Sequence, residues 1–486
     1  MSLVRLEAVR LLRSPLVWGA AVFMVALRVW QTWSRAPAWP EVTIDTAYGC
    51  LLVGAGALLA ANLAVNRERR HGMPETIRAL PVRAPARTRA LLVAAPAVAA
   101  TVACAATAVH LLSLLPAHPA GRFDPWEALT GPVGAALFGV LGVAVGRWLP
   151  GPATGPVVLF AIAAPVELSR SGGSWAALLP VILHHDLPME INPRPSGAHL
   201  GYLFALIPLV AALGMARYGV RPRRSIAALA GLAVAVPTGA VAIAGLHDAV
   251  PEERLARWST PAAQRCREAE GVRYCAYPGY EAWIPLWARA VRPVVAAVPP
   301  AQRARVPEIR QRIGDVSAGR GRGTMRKPEW PHPTGPFFLW GRNGTEPLSR
   351  AWLGGQVAAR MAGLPDPDWW RAAITDPIYD ASNIGVRVGT PGCTEWGRAR
   401  TLVALWLGGQ AGPVRVAASS WAQTEDSERP AAERLYRYAE RLVARPDARS
   451  RVWAHWTTLM DPATTVEQAL PLLGLTPDPD DRKDCS

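Results

Sequence analysis

The sequence runs to 486 residues, half of them hydrophobic, and carries a formal charge of +15. In a water-soluble protein that charge would point to nucleic acid or another anionic partner. Here the excess is arginine in short loops beside long apolar runs, which excludes nucleic acid in favour of a membrane and its lipids.

In chain order, residues 2–13 read as an amphipathic helix with Leu3, Leu6 and Val9 on one face and Arg5 and Arg13 within reach of headgroups. Residues 1–14 therefore lie at the interface, and the first apolar run is long enough to stay in the membrane rather than serve as a cleaved leader. A first span over 15–33 ends in Trp30 and Trp33 and contains Arg28, a charge near its outer end that can snorkel. A second span covers about 46–65. The stretch 66–89 follows, with seven arginines against two glutamates, and so basic a loop between two spans belongs in the cytoplasm. Within it, Pro74 to Pro81 reads as a short helix bounded by prolines, offering Glu75 and Arg78 to a partner. A plain solvated loop that only sets topology is the simpler reading of the same residues.

The third and fourth spans cover about 90–115 and 128–148, and the glycines of the fourth suit the inside of a bundle. A short fifth span, about 154–168, ends at Glu167. Residues 174–190 are apolar over half the length needed to cross and read as a re-entrant piece on the outer side. His184, His185 and Asp186 follow; adjacent histidines do not readily face one ion, so no metal site is assigned. A sixth span at about 199–216 leads to Arg217, Arg221, Arg223 and Arg224, a second cytoplasmic cluster, and a seventh at about 225–246 leads outward.

Residues 247–486 are long enough for a domain with its own core. The spacing of Trp283, Leu286, Trp287, Val291 and Val294 predicts a helix over 281–298. Thr464 and Glu467 read as a capping box, with Gly474 just past the helix end. The sequence Trp-Leu-Gly-Gly-Gln occurs at 352–356 and again at 406–410, which suggests two similar helix ends rather than a repeat architecture. Asn343-Gly344-Thr345 matches a glycosylation acceptor, a pattern too short to carry weight.

Cys50 and Cys104 sit in apolar runs as small packing residues, whereas Cys266, Cys275, Cys393 and Cys485 all follow residue 250. Four cysteines allow three pairings; Cys266 and Cys275, flanking a turn at Glu270-Gly271, are the most favoured pair. Disulfides place this region in an oxidising compartment, the same side reached by counting spans from a cytoplasmic N-terminus. The expected fold is an all-α polytopic protein of the plasma membrane: six spans over 15–217, a basic loop and seventh span over 218–246, and a mainly helical extracytoplasmic domain over 247–486.

Several enzymatic signatures are missing. A Walker loop needs Lys before Ser or Thr, but Lys327 precedes Pro328 and Lys483 precedes Asp484. No zinc-protease His-Glu pair and no Gly-x-Ser-x-Gly elbow occurs.

The order of amphipathic start, span pair, basic loop with a short helix, further spans and outer re-entrant piece resembles a type-two ABC exporter permease. The segment from Arg67-Glu68-Arg69-Arg70-His71-Gly72 through Leu80-Pro81 is similar to that family's coupling loop. The resemblance covers roughly residues 1–217. It implies ATPase docking by Arg67, Glu68, Arg70, Glu75 and Arg78, an initial helix flanking the ATPase, and a second permease chain, identical or paralogous. It implies no cofactor in this chain, since ATP would be bound by the partner subunit, and no catalysis. The seventh span and outer domain depart from the six-span plan. The stretch from Cys266 to Cys275 with Ala276-Tyr277-Pro278-Gly279-Tyr280 looks like the extension on some actinobacterial permeases of this kind. The alternative reading is a membrane-anchored outer domain that binds, senses or catalyses.

Overall fold

Ser2 starts the first helix by accepting a hydrogen bond from the Arg5 backbone at 3.3 Å, so α1 spans Leu3–Leu12. The structure, a computed structural model, describes residues 2–33, 37–70, 84–151, 153–169, 173–183, 194–219, 222–247, 261–311, 334–335, 347–364, 395–421 and 428–478. These fall into two units, one made of Met1–Trp33 and Pro37–Arg254, the other essentially of Leu255–Ser486.

The first unit is a helical bundle. After α1 come α2 (Pro15–Trp33), α3 (Trp39–Arg70), α4 (Ala84–Leu114), α5 (Pro125–Trp148), α6 (Thr154–Leu168), α7 (Ser196–Ala216) and α8 (Pro222–His247). Six stretches are long and apolar enough to cross a membrane: Pro15–Trp33, Trp39–Arg67, Ala84–Ala117, Pro125–Trp148, Ser196–Ala216 and Ser225–His247. Phe23, Phe160 and Phe204 stand exposed on the outside while alanine, glycine and valine fill the inside, an arrangement suited to lipid.

The directions of the helices follow from their close contacts. α2 runs against α3, with Arg28 beside Gly49 and the Leu16 carbonyl beside Gly56. α4 also runs against α3, through His110 on Thr46 at 2.9 Å and Thr107 on Cys50 at 3.3 Å. α5 runs with α3: Gly131 lies against Ala47 and Cys50, and Gly142 against the Leu58 backbone. A Cβ on Gly142 would overlap the Leu58 carbonyl oxygen, so the glycine is what lets these two backbones meet. The window within α5 is 78% buried, the highest share of the six. This is the inner position expected from its glycines.

The sequence reading counted seven spans; the described residues give six of sufficient length and one short helix. α6 has 15 residues, about 22 Å of helix against a hydrocarbon core of ~30 Å. It nonetheless connects the two ends of the bundle. Its start approaches α3 at Asn62, whose amide donates to Thr154 at 3.4 Å, and its end is held by the Tyr48 hydroxyl donating to Glu167. α7 then begins where α5 begins, with Ser196 on Glu127. α8 returns against α7 and ends with Gly245 packed on Pro195. One end of the bundle therefore carries α1, the end of α3, the start of α4 and the end of α5; the other carries Asp45, Glu127, Glu167 and the end of α8. Residues 174–178 form a short 3-10 turn that packs its Ala176 and Ala177 with Ala242 of α8.

The second unit is mainly helical around a small sheet. β1 (Arg265–Ala269) and β2 (Val272–Ala276) form a hairpin whose two turn residues, Glu270 and Gly271, both have positive φ. The helix α9 (Ile284–Ala297) carries the chain from β2 to β3 (Ile309–Gln311), parallel to it, and β4 (Thr334–Gly335) extends the sheet. α9 buries Trp287, Val291 and Val294, as the spacing predicts. α10 (Pro347–Met361), α11 (Ala399–Gly409), α12 (Val414–Ala418), α13 (Arg429–Ala444), α14 (Ala448–Ala454), α15 (Trp456–Met460) and α16 (Val466–Leu473) complete the unit. Trp287, Trp396, Trp406, Tyr274 and Tyr438 are its largest fully buried side chains.

Two local expectations are corrected. The capping box on α16 is Thr465 with Gln468, one residue on from Thr464 and Glu467; the Thr464 hydroxyl instead donates to Thr458 at 2.7 Å. Gly474 does close that helix, at φ 69°. The Trp-Leu-Gly-Gly-Gln echoes are not two helix ends. The first lies inside α10 and the second at the end of α11, and the two pack together: a Cβ on Gly408 would sit 3.4 Å from the Gly355 Cα.

Cys266 and Cys275 face each other across the hairpin and are joined in a disulfide. Cys393 and Cys485 lie outside the described residues; Cys50 is buried and free, and Cys104 is free but exposed. Replacing both Cys266 and Cys275 by Ser is expected to destabilise the second unit by about 2–3 kcal/mol, the loop-closure entropy of so short a ring. Denaturant unfolding with and without reductant measures it; equal midpoints for wild type under both conditions would show that the link adds nothing.

Candidate functional site

Of the docking residues singled out in the sequence, the structure describes the side chain of Arg67, which lies at the α1 end of the bundle. α1 lies there because its apolar side packs on the bundle, where Leu11 is buried among residues of the other helices. Glu7 is buried on the same helix and 7% exposed. One of its oxygens accepts from Arg10 at 3.1 Å and from Arg67 of α3 at 3.3 Å. Arg67 thus joins α1 to α3 at the point where the arginine-rich stretch begins. Its side chain keeps 41% exposure, so it can still face a partner. Glu68 and Arg70 occupy the last turn of α3. Glu75 and Arg78 lie outside the described residues, as do His184, His185 and Asp186.

Polar bonding continues inward from this end. Asn66 donates to the Asn62 carbonyl at 3.0 Å, and Thr88 of α4 pairs with Tyr218 at 2.9 Å. Asn62 thus links α3 to α6, and the Thr88–Tyr218 pair links α4 to the residues just past α7.

The other end holds polar groups that the sequence reading did not assemble. Arg28 is buried in α2. It donates to Gln31 at 2.8 Å, lies 3.8 Å from Asp45, and stacks 5.0 Å from the centre of the Tyr48 ring. The snorkelling assigned to it therefore does not occur within this unit: the guanidinium turns inward, into space left by Gly49. Further along, Glu127 pairs with Arg194 at 3.5 Å and accepts from Ser196 at 2.9 Å, with His199 one turn on. The one signal in the sequence was a lone acid and a lone histidine in apolar runs; nothing there linked them.

In the second unit the polar groups support structure. Burial pushes the Tyr277 and Tyr436 hydroxyls up to about 12. Hydrogen bonds from Arg445 and then Arg451 hold the Asp447 carboxyl well below the usual carboxylate range. Among the described residues no three His, Cys, Asp or Glu side chains are placed to hold a metal ion.

Compared with known protein families, curated proteins and solved structures, the chain matches none. Its class is therefore set by its own helices: a polytopic bundle with six stretches of membrane-spanning length, joined to a second, mainly helical unit.

Proposed function

We propose that the chain is the membrane-spanning permease subunit of an ABC exporter, driven by a separate ATPase that docks on 66–89. The observation that carries this reading is the convergence of α1, the end of α3 and the start of α4 at one end of the bundle, linked by Glu7 and Arg67. An ATPase pushing on the stretch between α3 and α4 would move both helices and α1 together. Arg87, Arg89, Arg147 and Arg217 belong to helix ends on that side, and by the charge rule this supports a cytoplasmic location for it. α8 ends on the opposite side, so the second unit would lie outside, where the Cys266–Cys275 disulfide persists. Two permease chains, identical or paralogous, would pair with two ATPase subunits, and ATP-driven closure of the ATPases would open a path between the bundles.

The test is co-purification from mild detergent with the ATPase encoded beside this gene. Wild type is expected to bring the ATPase down, and a chain with 68–80 replaced by a Gly/Ser linker to lose it. Arg78→Glu and Glu75→Arg are expected to lower ATPase stimulation by about tenfold, the cost of reversing one docking charge, with the bundle still folded. Normal stimulation in both variants would move the docking site elsewhere. If wild type captures no ATPase, the exporter reading falls, and ligand binding by the second unit becomes the question.

A further inference from the structure

At the end of the bundle opposite α1, the chain buries a carboxylate and an imidazole that the exporter reading does not use. Glu127, in the first turn of α5, and His199, in the first turn of α7, are both 0% exposed. Glu127 Oε2 takes the Ser196 hydroxyl at 2.9 Å and faces Arg194 at 3.5 Å, while Oε1 has no hydrogen-bond partner. His199 Nε2 lies 2.8 Å from the Leu179 carbonyl oxygen. A carbonyl can only accept, so Nε2 carries the proton and Nδ1 presents a bare lone pair; Nδ1 too has no partner.

What His199 holds is a piece of chain with no charge of its own. Residues 173–183 contain no acidic or basic side chain. They are fastened through their carbonyls, by Tyr202 to Leu178 at 3.3 Å, by His199 to Leu179 and by Arg194 to Ile182. Their apolar side chains, Ala176, Ala177 and Ile182, close over Ala242 of α8.

We propose that His199, with Glu127 as its charge partner, is a proton-binding site that controls residues 173–183 as a latch on the outer end of the bundle. With a neutral imidazole the site buries Glu127 beside Arg194 and Ser196. A proton on Nδ1 adds a positive charge that no further carboxylate among the described residues offsets, in a place closed to water. Lifting the segment admits water and relieves that cost. Among the described residues, the charges acting on the ring are those of Glu127 and Arg194. Tyr202 is the other titratable group on this face of α7. The end of α8 on this side carries the exposed His247, whereas Arg223 and Arg224 lie at its start, and α4 offers His110, which bonds to Thr46. An imidazole that has reached water titrates at about pH 6.5, so below that value protonation favours the lifted segment over the closed one. The proposal stands whether or not the chain is a transporter.

Hydrogen–deuterium exchange of the full-length chain in nanodiscs, at pH 8 and pH 5.5 and corrected for the intrinsic pH dependence, tests it. In wild type, exchange in 173–183 is expected to rise by about tenfold for each pH unit below the imidazole's titration, the slope for one proton. His199→Gln keeps a donor for the Leu179 carbonyl and cannot titrate, so its exchange should be the same at both pH values. A wild type without pH response, or a His199→Gln response equal to wild type, overturns the proposal. Should His199→Gln fail to fold, a wild type without pH response still does the same.

Discussion

Gly355→Ala is expected to loosen α10 by about 2 kcal/mol, from about 3 kcal/mol of overpacking less about 1 kcal/mol gained in helix propensity. The cause is local and rigid. A Cβ at this position would fall on the Ala417 carbonyl oxygen, 2.6 Å from the Ala417 carbonyl carbon and 2.6 Å from Ser420 Oγ. The obstruction is backbone at the end of α12, so no side chain can swing away. The neighbouring glycines are equally confined: a Cβ on Gly408 would lie 2.8 Å from the Ala417 Cβ. The measurement is hydrogen exchange over 347–361 in the intact chain, where about 2 kcal/mol corresponds to a rise of about thirtyfold. Unchanged exchange would mean that α10 and α12 slide apart at little cost.

Glu127→Ala is expected to be more damaging, by about 3–5 kcal/mol, because it removes a buried carboxylate paired with a buried guanidinium. The Arg194 and Glu127 side chains are 7% and 1% exposed, so water does not replace the lost charge. The loss should appear as a lower melting temperature in detergent. Adding Arg194→Leu to Glu127→Ala should recover part of it, since removing both members of a buried pair costs less than removing one. Equal losses in single and double variants would place the cost in the Ser196 hydrogen bond instead.

Much of this protein was written locally in its chain. Apolar run length sets a helix's reach, so the six long spans could be read directly. The glycines of α5 announced an inner helix because a missing Cβ matters only where backbones approach. The Glu270-Gly271 turn brought Cys266 opposite Cys275, nine positions apart, because two residues that tolerate positive φ close a hairpin by themselves. The arginine-rich stretch was equally plain, although of its five named docking residues only Arg67 has a described side-chain partner.

What the sequence could not settle depends on residues far apart meeting in space. α6 has too few residues to qualify as a span, and only its bonds to Asn62 and Tyr48 reveal that it joins the two ends. The box on α16 moved from Thr464 to Thr465 because Thr464 found a carbonyl in the preceding helix. β3 and β4 are too short to carry a period-two pattern, and exist as strands because β3 pairs with β2 and β4 with β3. The Glu127–Arg194 pair and the His199 latch belong to the same class. Length, charge and turn chemistry act between near neighbours and are fixed by the order of residues. A buried ion pair needs two helices to pack first, and that packing decided where this chain hides its charge.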